Sequence, residues 1–230
     1  MRWLEKLGLY RIEKNISDLA SENFITQNNI LEFRKKIDIL VVDDKEFDFI
    51  DPLRSCGFSI RHVYDISDIR DVNPYEIILC DIMGVGTAFD PALQGASIIK
   101  QIKIAFPLKR VVAYTASSYD PTFNNLLNYA DFVMVKGSSF DDWSSLLDTQ
   151  IKNLMNPHAQ WNILRDSLLK ADISTVDVAK IEDRYVRSFE GKNPTPIKEL
   201  VSQNTTSNVG VILSGFLSST LAKVILGASA

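Results

Sequence analysis

Tyr75–Asp81, YEIILCD, carries four uninterrupted apolar residues straight into a lone carboxylate. A strand covered on one face alternates apolar and polar side chains, whereas one covered on both faces reads as a continuous run. Ile77–Cys80 therefore predicts a buried central strand, and Asp81 marks the point where it emerges. Working outward, IDILVV (37–42), RVVAYT (110–115) and DFVMVK (131–136) are runs of the same kind, and FSIRHVY (58–64) alternates and reads as a strand. Helical spacing fills the intervals. KEFDFIDPLRSCG stops at Gly57, ISDIRDV offers one or two turns, and GASIIKQIKIAF ends before Pro107. PTFNNLLNYA starts on Pro121, and SSFDDWSSLLDTQIKNLM has Ser138 or Ser139 as its cap. Strands alternating with helices predict an α/β fold, a doubly wound five-stranded parallel sheet with helices on both faces.

The rest of the chain bounds the reading. At 230 residues and 46% hydrophobic content it can bury a core, and a formal net charge of -4 gives no overall affinity for nucleic acid. Cys56 and Cys80 are its two cysteines. Cys80 lies in the apolar run and reads as a small buried thiol, so a reduced, cytoplasmic protein is expected. Residues 1–36 read as an N-terminal helical arm, with Trp3, Leu4, Leu7 and Tyr10 on one face. Residues 37–155 carry the sheet. Residues 156–230 are helical only and form an all-α C-terminal module. Trp161, Leu164 and Leu168 mark one helix; Val178, Ile181, Tyr185 and Phe189 mark another, from Ser174 to Gly191.

Polar residues collect where the parallel strands end. Asp43 and Asp44 follow the first strand, Asp81 the third, Thr115 the fourth and Lys136 the fifth. Every parallel strand ends at the same edge, where ligands of such sheets bind. Alone, each aspartate would serve as a helix cap or turn residue. Together, converging carboxylates repel, and a divalent cation relieves them. Mg2+ suits hard oxygen ligands and phosphoryl oxygens. A carboxylate, a hydroxyl and an ammonium around it could support phosphoryl transfer to an aspartate.

The segments ILVVDD, IILCD, VVAYTAS and FVMVKG, in that order, resemble the receiver domain of two-component response regulators over about residues 37–155. The resemblance implies Asp81 as phospho-acceptor. It implies Asp43, Asp44, Asp81 and the Met83 carbonyl as Mg2+ ligands, Thr115 as the switch hydroxyl and Lys136 as the phosphoryl contact. Ala116 is small, as the family requires for access. A histidine kinase or phosphotransfer protein would supply the phosphoryl group, and a protein target would meet the helical module. The receiver would catalyse its own phosphorylation and dephosphorylation, with no separate output enzyme in view. The competing reading is a receiver-like adaptor or scaffold that is not phosphorylated.

The chain departs from the family pattern in places. The loop IMGVGTAFDPALQ after Asp81 is long and lacks the customary proline. Gly137 follows Lys136 where the family has proline, and Val133 stands where the switch aromatic is expected, with Phe132 one residue off. His62 and His158 have no recognisable phosphotransfer setting, and the tryptophans read as packing residues. No phosphate loop ending in Lys-Ser/Thr is present. Met83 stands where a haloacid-dehalogenase-type phosphatase would place its second aspartate.

In 156–230, eight Lys/Arg face seven Asp/Glu, a balance without a basic footprint for DNA. The tail from Val209 would reach about 33 Å as one helix, close to a bilayer core, yet Lys223 interrupts it. Gly210, Ser214, Ser218 and Ala222 recur every fourth residue, which suits close helix contact. Val209, Ile212, Leu213, Phe216, Leu217 and Val224 compose one apolar face. A packing or homodimer helix and a membrane-associated tail over 209–230 are both open at this point.

Overall fold

The computed structural model describes residues 10–19, 25, 29–116, 126–205 and 207–227. The chain separates into two compact units, Met1–Phe24 with Asn156–Ala230 and Ile25–Met155. In sequence, the second is inserted between the two segments of the first.

The inserted unit is a five-stranded sheet in the order β2-β1-β3-β4-β5. Its strands are β1 (Asp38–Val42), β2 (Ser59–Val63), β3 (Ile77–Asp81), β4 (Arg110–Thr115) and β5 (Phe132–Val135). All four pairings are parallel. Its helices with described bounds are α1 (Ile30–Lys36), α2 (Ile50–Ser55), α3 (Gln94–Ala105) and α4 (Phe140–Leu154), with a 3-10 turn at Ile69–Val72. Both faces of the sheet are covered at β1, β3 and β4, as the apolar runs predict; β5, read from the same kind of run, is an edge strand that leaves Phe132, Val133 and Val135 exposed. Leu40, Val42, Ile78, Cys80, Val111 and Ala113 pack with Ile98, Ile99 and Ile102 of α3. The alternate residues Ile39, Val41, Ile77, Leu79, Val112 and Tyr114 are equally buried. Tyr114 meets Trp143 of α4 edge-on at 5.6 Å.

Helix boundaries follow local chemistry. Ser139 caps α4 in a capping box with Asp142, whose carboxylate accepts from the Ser139 N–H at 2.9 Å. α2 is shorter than the sequence spacing suggests: Lys45–Phe49 stay outside it, and it ends before Gly57 at φ +89. The Arg34 guanidinium clamps the Asp148 carboxylate with two bonds of 2.8 and 2.7 Å, which joins α1 to α4. The expected helix start at Pro121 and the arm residues Trp3, Leu4 and Leu7 lie outside the described residues.

The other unit holds α5 (Pro157–Lys170), α6 (Thr175–Glu190), α7 (Thr195–Gln203), α8 (Asn208–Leu217) and α9 (Thr220–Leu226). Its core is aromatic: Tyr185 stacks against Trp161, Phe189 and Phe216 with centroid distances of 5.1, 4.8 and 5.1 Å. The tail is not one helix. Ser218 ends α8 and Ser219 caps α9, with a bend of 65° between them, and no single helix among the described residues is long and apolar enough to cross a membrane. The expected apolar face is split by that bend. Leu213 and Phe216 are buried with Leu221, Ala222 and Leu226, while Val224 is exposed. Gly210 is needed for a close approach, since a Cβ there would lie 2.0 Å from the Asn204 carbonyl oxygen.

The described parts of the 1–36 arm are divided between the two units. Ile30–Lys36 forms α1 of the sheet unit. Residues 10–15 are not helical, a 3-10 turn follows at Ile16–Asp18, and this segment docks on α6. The reason is Asp183, a carboxylate with no exposure. It accepts from Tyr10 Oη, from the Glu13 and Lys14 backbone N–H at 2.9 and 2.8 Å, and from Arg187 Nε at 2.7 Å. Arg187 also pairs with Glu13, and Lys14 with Glu190, each at 2.8 Å. Burial works against the Asp183 charge, but the bonds from Arg187, Tyr10 and the two backbone amides outweigh it, so its pKa lies below the ordinary carboxylate value. A depressed pKa contributes stability that is present above the unfolded value and is lost as pH falls through the folded one. The loss is expected below about pH 4. Asp183→Ala is expected to cost about 3 kcal/mol in urea unfolding at neutral pH and to speed proteolysis of residues 10–19. The difference from wild type should shrink below pH 4.

Candidate functional site

Strand register builds the site. Val42 pairs with Cys80, so the next residues, Asp43 and Asp81, emerge side by side where β1 and β3 end. This is the switch point of the strand order, between a chain that runs on to β2 on one side and to β4 on the other. Asp81 pairs with Tyr114 and Thr115 with Val135, and Lys136 follows directly. Asp44, Lys45, Asp81, Met83, Gly84, Thr115, Ala116 and Lys136 line a cleft of about 210 Å³. Oxygen atoms of Asp43, Asp44 and Asp81 lie within 4.8 Å of one another. Of the residues assigned to the site from the sequence, Asp44, Asp81, Met83, Thr115, Ala116 and Lys136 line the cleft, and Asp43 lies beside Asp81.

The charges are arranged unequally. Asp43 and Asp81 are each 3% exposed, while Asp44 faces solvent. Lys136 Nζ donates to Asp81 Oδ2 at 2.5 Å and to Asp43 Oδ2 at 3.3 Å. Asp81 Oδ1 is held separately, by the Ile82 N–H at 2.7 Å and the Met83 N–H at 3.4 Å. Asp43 Oδ1 accepts from the Lys45 N–H at 3.0 Å. Burial raises the Asp81 pKa, and the charge of Asp43 adds to it; the ammonium of Lys136 and the backbone N–H of Met83 oppose the rise. For Lys136, burial disfavours the ammonium, but its bond to Asp81 and the two carboxylate charges prevail and raise its pKa. Cys80, one residue earlier, is an inert thiol whose pKa is pushed well up by full burial.

Hard carboxylate oxygens clustered around a cleft open to solvent at Asp44 fit a divalent cation of the Mg2+ or Ca2+ type. The long loop after Asp81 closes against this cluster. Gly84, at φ +86, lies so near Asp44 that a Cβ would sit 2.4 Å from its carboxylate, and the Gly84 N–H donates to Gln94 Oε1 at 2.7 Å. Gly95 opens α3 directly against β3. A Cβ there would fall 1.8 Å from the Asp81 carbonyl oxygen.

Val133, at the position of the expected switch aromatic, is 43% exposed on β5, and Phe132 is 45% exposed. Neither ring nor branched side chain fills the interior there. The buried aromatic beside the site is Tyr114, whose hydroxyl donates to Asp43 Oδ2 at 2.8 Å. Reading for strand-end carboxylates missed it. The signal was a single phenol inside an apolar strand, one residue before Thr115. His62 is structural: its Nε2 bonds the Asp43 carbonyl oxygen at 2.9 Å and steadies the end of β1. His158 Nε2 meets the Leu19 carbonyl oxygen at 3.1 Å.

The strand order 2-1-3-4-5 with helices on both faces is shared by flavodoxin and chemotaxis-type receivers. The fold is receiver/flavodoxin-like. No protein-family model matches the chain, and no curated protein does. Solved structures to which part of the chain is similar include the following. One is the receiver domain of NtrX from Brucella abortus, with 24% identity over 50% of this chain and 98% of that one, TM-score 0.41. Another is a CheY-like receiver domain protein from Methanospirillum hungatei JF-1, with 17% identity over 51% and 95%, TM-score 0.43. The third is a response regulator from Burkholderia pseudomallei with a phosphorylated aspartic acid, calcium ion and citrate, with 17% identity over 63% and 91%, TM-score 0.41. In an NtrX chain from Brucella abortus in complex with ADP, the match spans 27% of that chain, with TM-score 0.42.

Gly95→Ala is expected to destabilise the protein by about 2 kcal/mol or more through overpacking, since backbone rather than a flexible side chain blocks the new methyl. Gly137→Ala, where a Cβ meets nothing within 4 Å, is expected to stay close to wild type in the same thermal unfolding experiment.

Proposed function

We propose that residues 37–155 act as a phosphorylatable receiver, with Asp81 as phospho-acceptor. The observation that carries this is the convergence of the Asp43, Asp44 and Asp81 oxygens within 4.8 Å, with Lys136 on Asp81. Asp81 Oδ1 is committed to backbone donors. Oδ2, facing Lys136, is then the nucleophile. It attacks the phosphorus of a phosphohistidine, the P–N bond breaks, the imidazole leaves, and an acyl phosphate forms. Lys136 passes from Oδ2 to a phosphoryl oxygen, and the Thr115 hydroxyl donates to another. Asp43, Asp44, Asp81 and the Met83 carbonyl would hold Mg2+, which supplies charge neutralisation for the transferring group.

The donor would be a histidine kinase or a phosphotransfer protein, and the helical unit would present the response to a protein target. The free thiols Cys56 and Cys80 support a reducing, cytoplasmic setting. Incubation with acetyl phosphate and Mg2+, followed by intact-mass measurement under conditions that preserve acyl phosphates, is expected to add one phosphoryl group to wild type and none to Asp81→Asn. EDTA should suppress the adduct, and Lys136→Ala should slow its formation by at least tenfold. An unmodified wild type, or equal modification of Asp81→Asn, favours the adaptor reading instead.

A further inference from the structure

Tyr114 is the residue of this site that its chemistry has not yet used. The phenol is 1% exposed in the middle of the sheet unit. Register and strand alternation put it on the same sheet face as Asp43 and Asp81. Its hydroxyl reaches past Asp81 to Asp43 Oδ2 at 2.8 Å, and its ring lies 5.2 Å below the Lys136 ammonium. One side chain thus touches both the buried acid and the cation that bridges the two acids. The ring continues outward: Tyr114 meets Phe47 at 5.7 Å and Trp143 at 5.6 Å, and Phe47 meets Trp143 at 5.1 Å, all edge-on. Trp143 stands in the first turn of α4. Its Nε1–H has no acceptor among the described residues, so ring contacts set its environment.

We infer that Tyr114 is a positioning residue for the cation-binding acids, and that through its ring the state of Asp43 is read by Trp143 at the start of α4. This rests on the metal-binding part of the function proposed above. The physical case is one of competition. Asp43 Oδ2 accepts from Tyr114 and Lys136 together, and a cation that draws on this carboxylate changes how strongly both donors are held. Lys136 has a shorter bond to Asp81 Oδ2 to fall back on, whereas the phenol is packed against Phe47 and Trp143, so a change in its bond to Asp43 bears on those ring contacts. In this chain the interior aromatic that couples site to helix is then on β4, and the exposed Val133 and Phe132 of β5 take no part.

Orienting partners of metal ligands typically contribute 10–100-fold to metal affinity. The test uses the full chain labelled with 5-fluorotryptophan, so that Trp3, Trp143 and Trp161 give separate fluorine resonances, with Trp143 assigned from Trp143→Phe. Mg2+ alone is the probe, titrated by calorimetry and by the fluorine spectrum. Wild type is expected to bind Mg2+ with a shift of the Trp143 resonance and not of Trp161. Tyr114→Phe keeps the ring and removes the hydroxyl. It should lower the Mg2+ affinity at least tenfold and abolish the Trp143 shift at saturation. Phe47→Leu, which keeps the hydroxyl, should retain affinity and lose only the shift. Mg2+ affinity of Tyr114→Phe within twofold of wild type overturns this inference and leaves the metal site standing. No binding of Mg2+ by wild type overturns the metal site, and this inference with it. If Tyr114→Phe fails to fold, wild type decides: a Trp143 resonance that stays fixed at saturating Mg2+ overturns the coupling.

Discussion

One ammonium holds two nearly dry carboxylates together. Lys136 bridges Asp81 and Asp43, and without it their charges would meet across the end of the sheet with only backbone donors and a phenol to answer them. Removing an ion from water costs on the order of several kcal/mol even after relaxation, so the arrangement needs a rigid frame. The parallel sheet supplies it. Asp43, Asp81 and Tyr114 belong to strands or strand ends buried on both faces, whereas Lys136 follows the edge strand β5, where Phe132, Val133 and Val135 are exposed.

The same constraint explains the loop after Asp81. Gly84 lies against the Asp44 carboxylate and Gly95 against the Asp81 carbonyl, positions where any side chain would strike the site or its strand. Gln94 accepts φ +46 at the head of α3 and answers with a bond to the Gly84 amide. The loop is long, yet it is closely fitted: Val85 is fully buried and the Gly86 N–H donates to Asp65 Oδ1 at 2.8 Å. Its length therefore reshapes the rim of the cleft while leaving the acids in register.

The helical unit follows a different logic. Its core is a set of mutually packed rings around Tyr185, and the fully buried Asp183 is satisfied by partners drawn from the far end of the sequence. The segment that flanks the sheet unit on its N-terminal side is thereby a structural part of the unit that flanks it on the other.

Strand runs, their parallel order and the edge holding Asp43, Asp44, Asp81, Thr115 and Lys136 were legible in the amino-acid sequence, because burial on both faces imposes continuous apolar runs and parallel strands must end together. The cap at Ser174 and the stop at Gly57 were legible from local chemistry, and the structure chose Ser139 over Ser138 as the cap of α4. Tertiary structure alone decided the rest. Tyr114 looked like one more residue of an apolar strand until register placed it beside Asp81 and in reach of Asp43. The apolar tail looked like one helix until a serine pair broke it and its two halves found separate places in a core. The arm before residue 37 read as amphipathic and helical, but its bonds to Asp183 join residues far apart in sequence, and no periodicity records a partner at that separation.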